Sequence, residues 1–147
     1  MNDLCWPTSN GSSPLWLLLL RAAHTVEALI ESSLAPSGLS IAKLSVLGNL
    51  VQANRPLSLG QLAGLVSCVK SNMTQLIDRL ETDGLVGRVP DPADRRSVLA
   101  VITDEGKRRY ELGISALEAR EKELIGGFSA AEREQLAQLL RRVTTKS

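Results

Sequence analysis

Aromatic side chains are scarce in this 147-residue chain, where Phe, Trp and Tyr together make up 3% of the sequence. Single-stranded nucleic acids are gripped by rows of exposed rings, so the scarcity argues against that mode of binding. Cysteine is also rare. Cys5 and Cys68 stand far apart, so no metal knuckle and no closely spaced redox pair follows. That usage fits a reducing, cytoplasmic compartment. With one histidine, and no nucleophile–base pair, phosphate-binding glycine loop or paired catalytic carboxylates, the chain is a weak enzyme candidate. No catalytic residue, metal site or cofactor is expected. Charge of one sign is lacking too: 17 Lys and Arg face 16 Asp and Glu, a net charge of +1. No bulk attraction to a polyanion follows, and any basic patch has to be local. Long apolar runs are missing. "LWLLLL" (Leu15 to Leu20) ends at Arg21, far short of the roughly 20 residues of a membrane span. No cation precedes it as in a signal peptide. It reads as the start of a buried helix, with no membrane partner.

What is present is ordinary for a soluble domain: 44% apolar and 22% charged residues, in a length that suits one domain with a real core. Residues 1–14, with Pro7, Asn10, Gly11, Ser12, Ser13 and Pro14, read as a flexible tail. From Leu15 to about Ser33 no breaker interrupts a helix whose first half is apolar nearly all round and should be covered on more than one side. A second helix spans about Ile41 to Asn54 behind Ser40 as N-cap, and a short third spans Leu59 to Val66 behind Ser58. The fourth, over 69–82, has Val69, Met73, Leu76, Ile77 and Leu80 in one inward stripe and Gly84 at its end. Then the period changes. "LVGRV" and "VLAVI" flank "PDPADRRS" as a two-stranded hairpin, with its wing over 88–102. A charged helix from Asp104 to about Ile125 follows, capped by Thr103 or Asp104. A last helix, opened by a Ser129–Glu132 capping box, carries Leu136, Leu139, Leu140 and Val143 on one side.

The fold class is therefore mainly α with a small β-hairpin wing. Residues 41–103 outline a winged helix-turn-helix between an N-terminal helix (15–34) and C-terminal helices (104–143). In such a unit two helices brace each other so that the second presents an outward face to a DNA major groove. Here the first turns of the fourth helix offer Lys70, Ser71, Asn72, Thr74 and Gln75, which suit base edges and phosphates. A polar helix face is by itself most often merely solvated. The hairpin shifts the balance, because adjacent Arg95 and Arg96 at a loop tip fit a narrow, negative minor groove. From Ser67 to Ala100 five basic and five acidic residues cancel, so affinity has to come from placement and from doubling in a dimer.

The segment "LAGLVSCVKSNMTQLIDRLETDGLVGRVPDPADRRSVLAVITDEG" resembles the MarR family of bacterial transcriptional regulators. The likeness is carried by "LA" in the third helix, a polar helix start, "T-x-L-I-D-R-L-E-x-x-G-L-V", then "D-R-R" and an apolar strand ending in "IT-x-E-G". It is close over 57–106 and looser in the flanking helices. The resemblance implies a single domain over 15–147 that forms a homodimer through its terminal helices. It implies a pseudo-palindromic duplex DNA site with half-sites about 10 base pairs apart. Lys70, Ser71, Asn72, Thr74 and Gln75 then face the groove, Arg79 and Arg88 lie among the basic contacts, and Asp94, Arg95 and Arg96 form the wing tip. Arg95 is expected in the minor groove and Arg96 against Asp94. It also implies repression by promoter occupancy and release by a small aromatic or phenolic effector held between the first, second and fifth helices. Two departures stand out: Ser67 where the turn often has glycine, and Cys68 where an aliphatic residue is usual. Cys68 reads either as a small buried residue closing the turn or as a redox thiol, its pKa lowered by a helix N-terminus and nearby Lys70. His24, Glu27 and Glu31 at i, i+3, i+7 suit a solvated or dimer-rim face better than a metal site, with no further ligand nearby in sequence. The competing class of function is a winged-helix module that docks proteins without reading DNA sequence.

Overall fold

The computed structural model describes residues 14–66 and 72–145. Helix α1 (Leu15–Leu34) ends in a short 3-10 turn (Ala35–Ser37) and a left-handed Gly38 (φ 71°), and α2 spans Ile41–Ala53. A two-residue strand β1 (Leu57–Ser58) leads into α3 (Leu59–Leu65), and α4 (Met73–Thr82) precedes β2 (Val86–Pro90) and β3 (Val98–Ile102). Helices α5 (Asp104–Ile125) and α6 (Ala130–Thr144) complete the order. The sheet is antiparallel in the order β1-β3-β2. The two-stranded hairpin expected from the sequence thus gains a third strand: Leu57 pairs with Ala100 and Ser58 with Leu99. A two-residue strand has no periodicity to read, and the stretch "RPLSL" has the composition of a turn.

Local chemistry accounts for most boundaries. The Ser40 hydroxyl accepts from Lys43 N at the start of α2, and Glu31 Oε1 accepts from Ile41 N at 3.0 Å. Ser58 and Gln61 form a reciprocal capping box at α3, and Ser129 with Glu132 does the same at α6. The Ser129 amide holds the Glu132 carboxyl below its ordinary pKa. At the end of α4, Gly84 adopts φ 74°, and Leu85 N returns to Leu80 O at 2.9 Å. This closing turn needs the left-handed conformation that glycine adopts without strain.

The core lies where α2, α3, α4, the sheet and the first half of α5 meet. Leu34, Leu47, Leu50, Leu62, Ile77 and Leu80 are sealed there. Two glycines let α5 approach closely. A Cβ on Gly113 would meet Leu34, Leu39 and Leu44 side chains at 3.0–3.3 Å, and one on Gly106 would stand 2.1 Å from the Leu85 carbonyl oxygen. That carbonyl also accepts from Thr103 N at 3.1 Å, while Thr103 Oγ1 donates to Gly84 O at 2.7 Å and accepts from Gly106 N at 3.0 Å. The end of α4, the base of β2, the end of β3 and the first turn of α5 are thereby joined within a few residues.

Two apolar surfaces stay uncovered within one chain. Leu15, Trp16, Leu18 and Leu20 of α1 are exposed, with only Leu17 and Leu34 of that helix buried. The expectation that its first half is covered on more than one side is not met within a single protomer, where Leu15, Leu18 and Leu20 stay open to solvent. Helix α6 has no buried residue, and Leu136, Leu139, Leu140 and Val143 all stand exposed. Among the described residues no single helix is long and apolar enough to cross a membrane.

Replacing Gly106 with Ala should destabilise the fold by about 1–3 kcal/mol, since backbone would have to move to admit the methyl. Gly64→Ala, where nothing lies within 4 Å of the added carbon, should be neutral or stabilising by about 0.5–1 kcal/mol. Urea denaturation of both variants checks the pair, and equal effects would contradict the close approach. A pH effect follows from the same first turn. Glu105 accepts from Arg108 Nε and Nη2 at 2.8 and 2.7 Å and from Arg109 Nε at 2.8 Å. Arg108, then Arg109, hold its carboxyl at about 2 against an ordinary value of 4.5. A depressed folded-state pKa stabilises above the unfolded value and is lost as pH falls through the folded one. Wild type should therefore be more stable than Glu105→Gln at neutral pH, and the gap in Tm should close as the pH is lowered from about 4.5 toward 2. A gap that ignores pH would contradict the ion pairing.

Candidate nucleic-acid interface

Helix α4 turns Leu76, Ile77 and Leu80 into the core and leaves Thr74, Gln75, Asp78, Arg79 and Thr82 exposed. Of the expected groove-facing residues, Thr74 and Gln75 thus lie on its outer side, as does Arg79, expected near the phosphates. Lys70 and Ser71, with Ser67 and Cys68, lie outside the described residues. Asn72 is placed differently from expectation. Its backbone is extended, and its side-chain oxygen accepts from Thr74 N at 3.1 Å and Gln75 N at 3.5 Å. It is the N-cap, so the helix that reaches Thr82 starts at Met73 and not at 69. An asparagine amide is as good a cap as a base-edge reader, and the apolar stripe alone does not separate the two.

The wing loop is built by its acids. Asp91 N donates to Ser97 O at 3.1 Å, closing the loop beyond the last register pair, Pro90 with Val98. Asp91 Oδ1 accepts from Ala93 N at 2.8 Å, and Asp94 Oδ1 accepts from Arg96 N at 2.9 Å. These are two successive turns of the kind Asp favours, each satisfying a backbone donor at an exposed tip. The expected pairing of Arg96 with Asp94 is therefore through the Arg96 amide and not its guanidinium. A short carboxylate serves the amide two residues on more readily than a distant side-chain head. Arg95 and Arg96 are both exposed, and among the described residues neither guanidinium has an ion-pair partner.

The acids on the helix are also spoken for. Arg88 of β2 donates to Glu81 Oε2 at 2.7 Å and to Asp78 Oδ1. Asp83, which caps the C-terminus of α4, receives Lys43 Nζ of α2 at 2.6 Å. Over 72–100 the acidic side chains Asp78, Glu81, Asp83, Asp91 and Asp94 are thus each tied to a cation or a backbone amide. Arg79, Arg95 and Arg96 carry no ion pair among the described residues. The zero sum read from the sequence conceals this sorting: Asp78, Glu81 and Asp83 are ion-paired between elements, Asp91 and Asp94 are turned onto loop amides, and Arg79, Arg95 and Arg96 carry no ion pair among the described residues. Sequence reasoning misses Lys43 as a member of this network. It lies far from Asp83 in sequence, and no local pattern pairs them.

A model described as MarR family matches residues 39–98, from the approach to α2 through the wing. The chain is 34% identical over 121 residues to the transcriptional activatory protein BadR of Rhodopseudomonas palustris, covering 78% of this chain and 67% of that one. This chain belongs to the MarR family. Solved structures agree with a winged-helix MarR fold. A cysteine-to-serine mutant of MarR from E. coli, in complex with operator DNA, superposes with a TM-score of 0.76 at 27% identity, over 88% of this chain and 93% of that one. BpsR of Bordetella bronchiseptica, described with regulation of its DNA binding by 6-hydroxynicotinic acid, gives 0.77 at 27% identity, over 94% of this chain and 98% of that one. The protein-docking alternative draws no support from these MarR-family relatives and structures.

The cap makes a specific demand on Asn72. Asn72→Ala should cost about 1 kcal/mol of stability, and Asn72→Ser should restore most of it. Thermal unfolding followed by circular dichroism checks this, and equal stability of the Ala and Ser variants would contradict the capping role.

Proposed function

We propose that this chain is a homodimeric, DNA-binding transcriptional regulator that reads a pseudo-palindromic duplex with two copies of the α4–wing unit. The observation that carries the reading is the sorting of charge. Exposed Arg79, Arg95 and Arg96 are left without ion pairs among the described residues, on a helix and a hairpin joined through Arg88. Thr74 and Gln75 enter the major groove with the segment that precedes them, which carries Lys70 and Ser71. The tip arginines enter the minor groove, and the asparagine cap acts by fixing where the helix begins. The complex of an E. coli MarR mutant, a protein of similar fold, with operator DNA supports duplex DNA as the partner.

The uncovered faces of α1 and α6 support a second copy as the missing cover. Contiguous apolar surface on two terminal helices is what a homodimer interface buries. Promoter occupancy makes repression the simplest outcome, although BadR is named a transcriptional activatory protein. The expected place for an effector is between the first, second and fifth helices; the seat proposed for it is a groove of about 340 Å³ between the end of α2, the sheet and α5, which α1 does not line. Val51, Pro56, Ile102 and Tyr110 form its walls, with Arg55, Lys107 and Glu111 beside them, a local excess of one positive charge. Apolar walls beside cations suit a small aromatic anion. Regulation of BpsR by 6-hydroxynicotinic acid supports that class of ligand. On this reading the chain works in the cytoplasm, where the chromosome is, by binding and not by catalysis.

The test is selection of duplexes from a random pool, followed by fluorescence anisotropy of the selected duplex and a scrambled control. Selective, salt-weakened binding is expected. Arg95→Ala with Arg96→Ala should lower affinity at least tenfold and flatten the salt slope by about 0.9 for each phosphate that is no longer neutralised. Failure of any sequence to enrich, or full affinity in the double variant, would contradict the proposal.

A further inference from the structure

Arg88 stands in the middle of β2, in register with Ala100 of β3, and its side chain crosses to α4. Its two terminal nitrogens go to different carboxylates, Glu81 and Asp78, which lie three residues apart on one flank of that helix. The Arg88 side chain is 28% exposed, while its partners are 54% and 40% exposed. A planar guanidinium can hold two carboxylates in a fixed fork, which a single ammonium point charge does less well. The carboxylates hold the Arg88 pKa above its ordinary value, chiefly through the Asp78 hydrogen bond. The charge balance makes the contact matter. Within α4, Asp78 and Glu81 oppose only Arg79, leaving one excess negative charge on the helix that reads the major groove under the proposed function.

We propose that Arg88 is a positioning residue for DNA binding: it locks the wing to the recognition helix through Asp78 and Glu81 and cancels that helix's acidic flank, instead of contacting a phosphate itself. This rests on the DNA-binding reading of the α4–wing unit. Two of its five N–H donors are given to carboxylates, and its single positive charge already faces two acids, so little of it is left for a phosphate. With the fork in place, the distance between the groove-reading face of α4 and the arginine tip of the wing is set by a rigid strand and a rigid helix. Without it, two acids face the phosphates within a Debye length, and the wing is held only by its backbone ladder and the Leu85–Thr103 junction at its base.

A double-mutant cycle on the selected duplex separates this role from a direct contact. Arg88→Met keeps the aliphatic stem and removes the charge. In the wild-type background it should weaken binding about tenfold or more, with Arg88→Lys recovering part of the affinity. In an Asp78→Asn/Glu81→Gln background the same change should cost less than about threefold, because nothing is left to brace or neutralise. Equal losses in both backgrounds would overturn the proposal and make Arg88 a DNA contact. Hydrogen exchange of the wing amides without DNA provides an independent arm. Arg88→Met and Asp78→Asn/Glu81→Gln should each speed exchange by a similar factor, and their combination should add nothing. Unchanged exchange in all variants would overturn the brace. If the wild type prefers no duplex, the DNA-binding reading fails and takes the binding role of Arg88 with it, while the exchange arm still decides whether the brace exists.

Discussion

The carbonyl of Leu85 is the point on which the rest of the structure hangs. It accepts from Thr103 N and lies against Gly106 so closely that no side chain fits there. Thr103 caps α5 while donating to Gly84 O, the residue that ends α4 in a left-handed turn. A recognition helix, a wing and a long helix leading to the uncovered C-terminal face are thus clamped at one place. A rotation of α5 would be passed to the reading elements, since the junction is backbone contact plus one short Thr103 hydroxyl, with no long side chain to absorb it. That is the physical form a coupling between a ligand groove and a DNA-binding face would take here. Lys43–Asp83 and Arg109–Ser37 O add side-chain ties from α2 to α4 and from α5 to the turn after α1.

Electrostatics follows the same logic. A net charge of +1 would be a poor advertisement for a DNA-binding protein if charges were spread evenly. The acids of the α4–wing region instead tie elements together or shape the loop, and at the exposed tip Arg95 and Arg96 outnumber Asp94 and carry no ion pair among the described residues. Balance at the level of composition and polarity at the level of the surface are therefore compatible. Affinity built this way comes from placed contacts, with little contribution from a diffuse positive field.

Much of this is legible in the sequence, for reasons that can be named. The stripe Met73, Leu76, Ile77, Leu80 has helical spacing, "LVGRV" and "VLAVI" carry strand propensity around a proline-limited loop, and Ser40, Ser58, Ser129 and Thr103 are caps by type and position. The "IT-x-E-G" motif is recognisable as a pattern, and the structure supplies its reason in the Thr103 cap and the bare Gly106. What escapes is either too short or too distant. β1 is two residues long, and the Arg88 and Lys43 pairs join elements that only the fold brings together. Asn72 escapes for another reason: its chemistry serves a cap and a base contact equally well, and geometry has to choose. The terminal helices pose the converse problem. Their apolar faces are visible in the sequence as faces needing cover, yet the cover is not found among the described residues of one chain.

That last point carries the central claim, that two copies of this chain bury the faces of α1 and α6 and together read one duplex. Sedimentation equilibrium of the purified chain with and without the selected duplex tests it most directly. The account predicts a free species of twice the 15.8 kDa chain mass, and a complex of two chains on one duplex. A 15.8 kDa monomer that binds the duplex singly, with the α1 and α6 leucines still open to solvent, would contradict it.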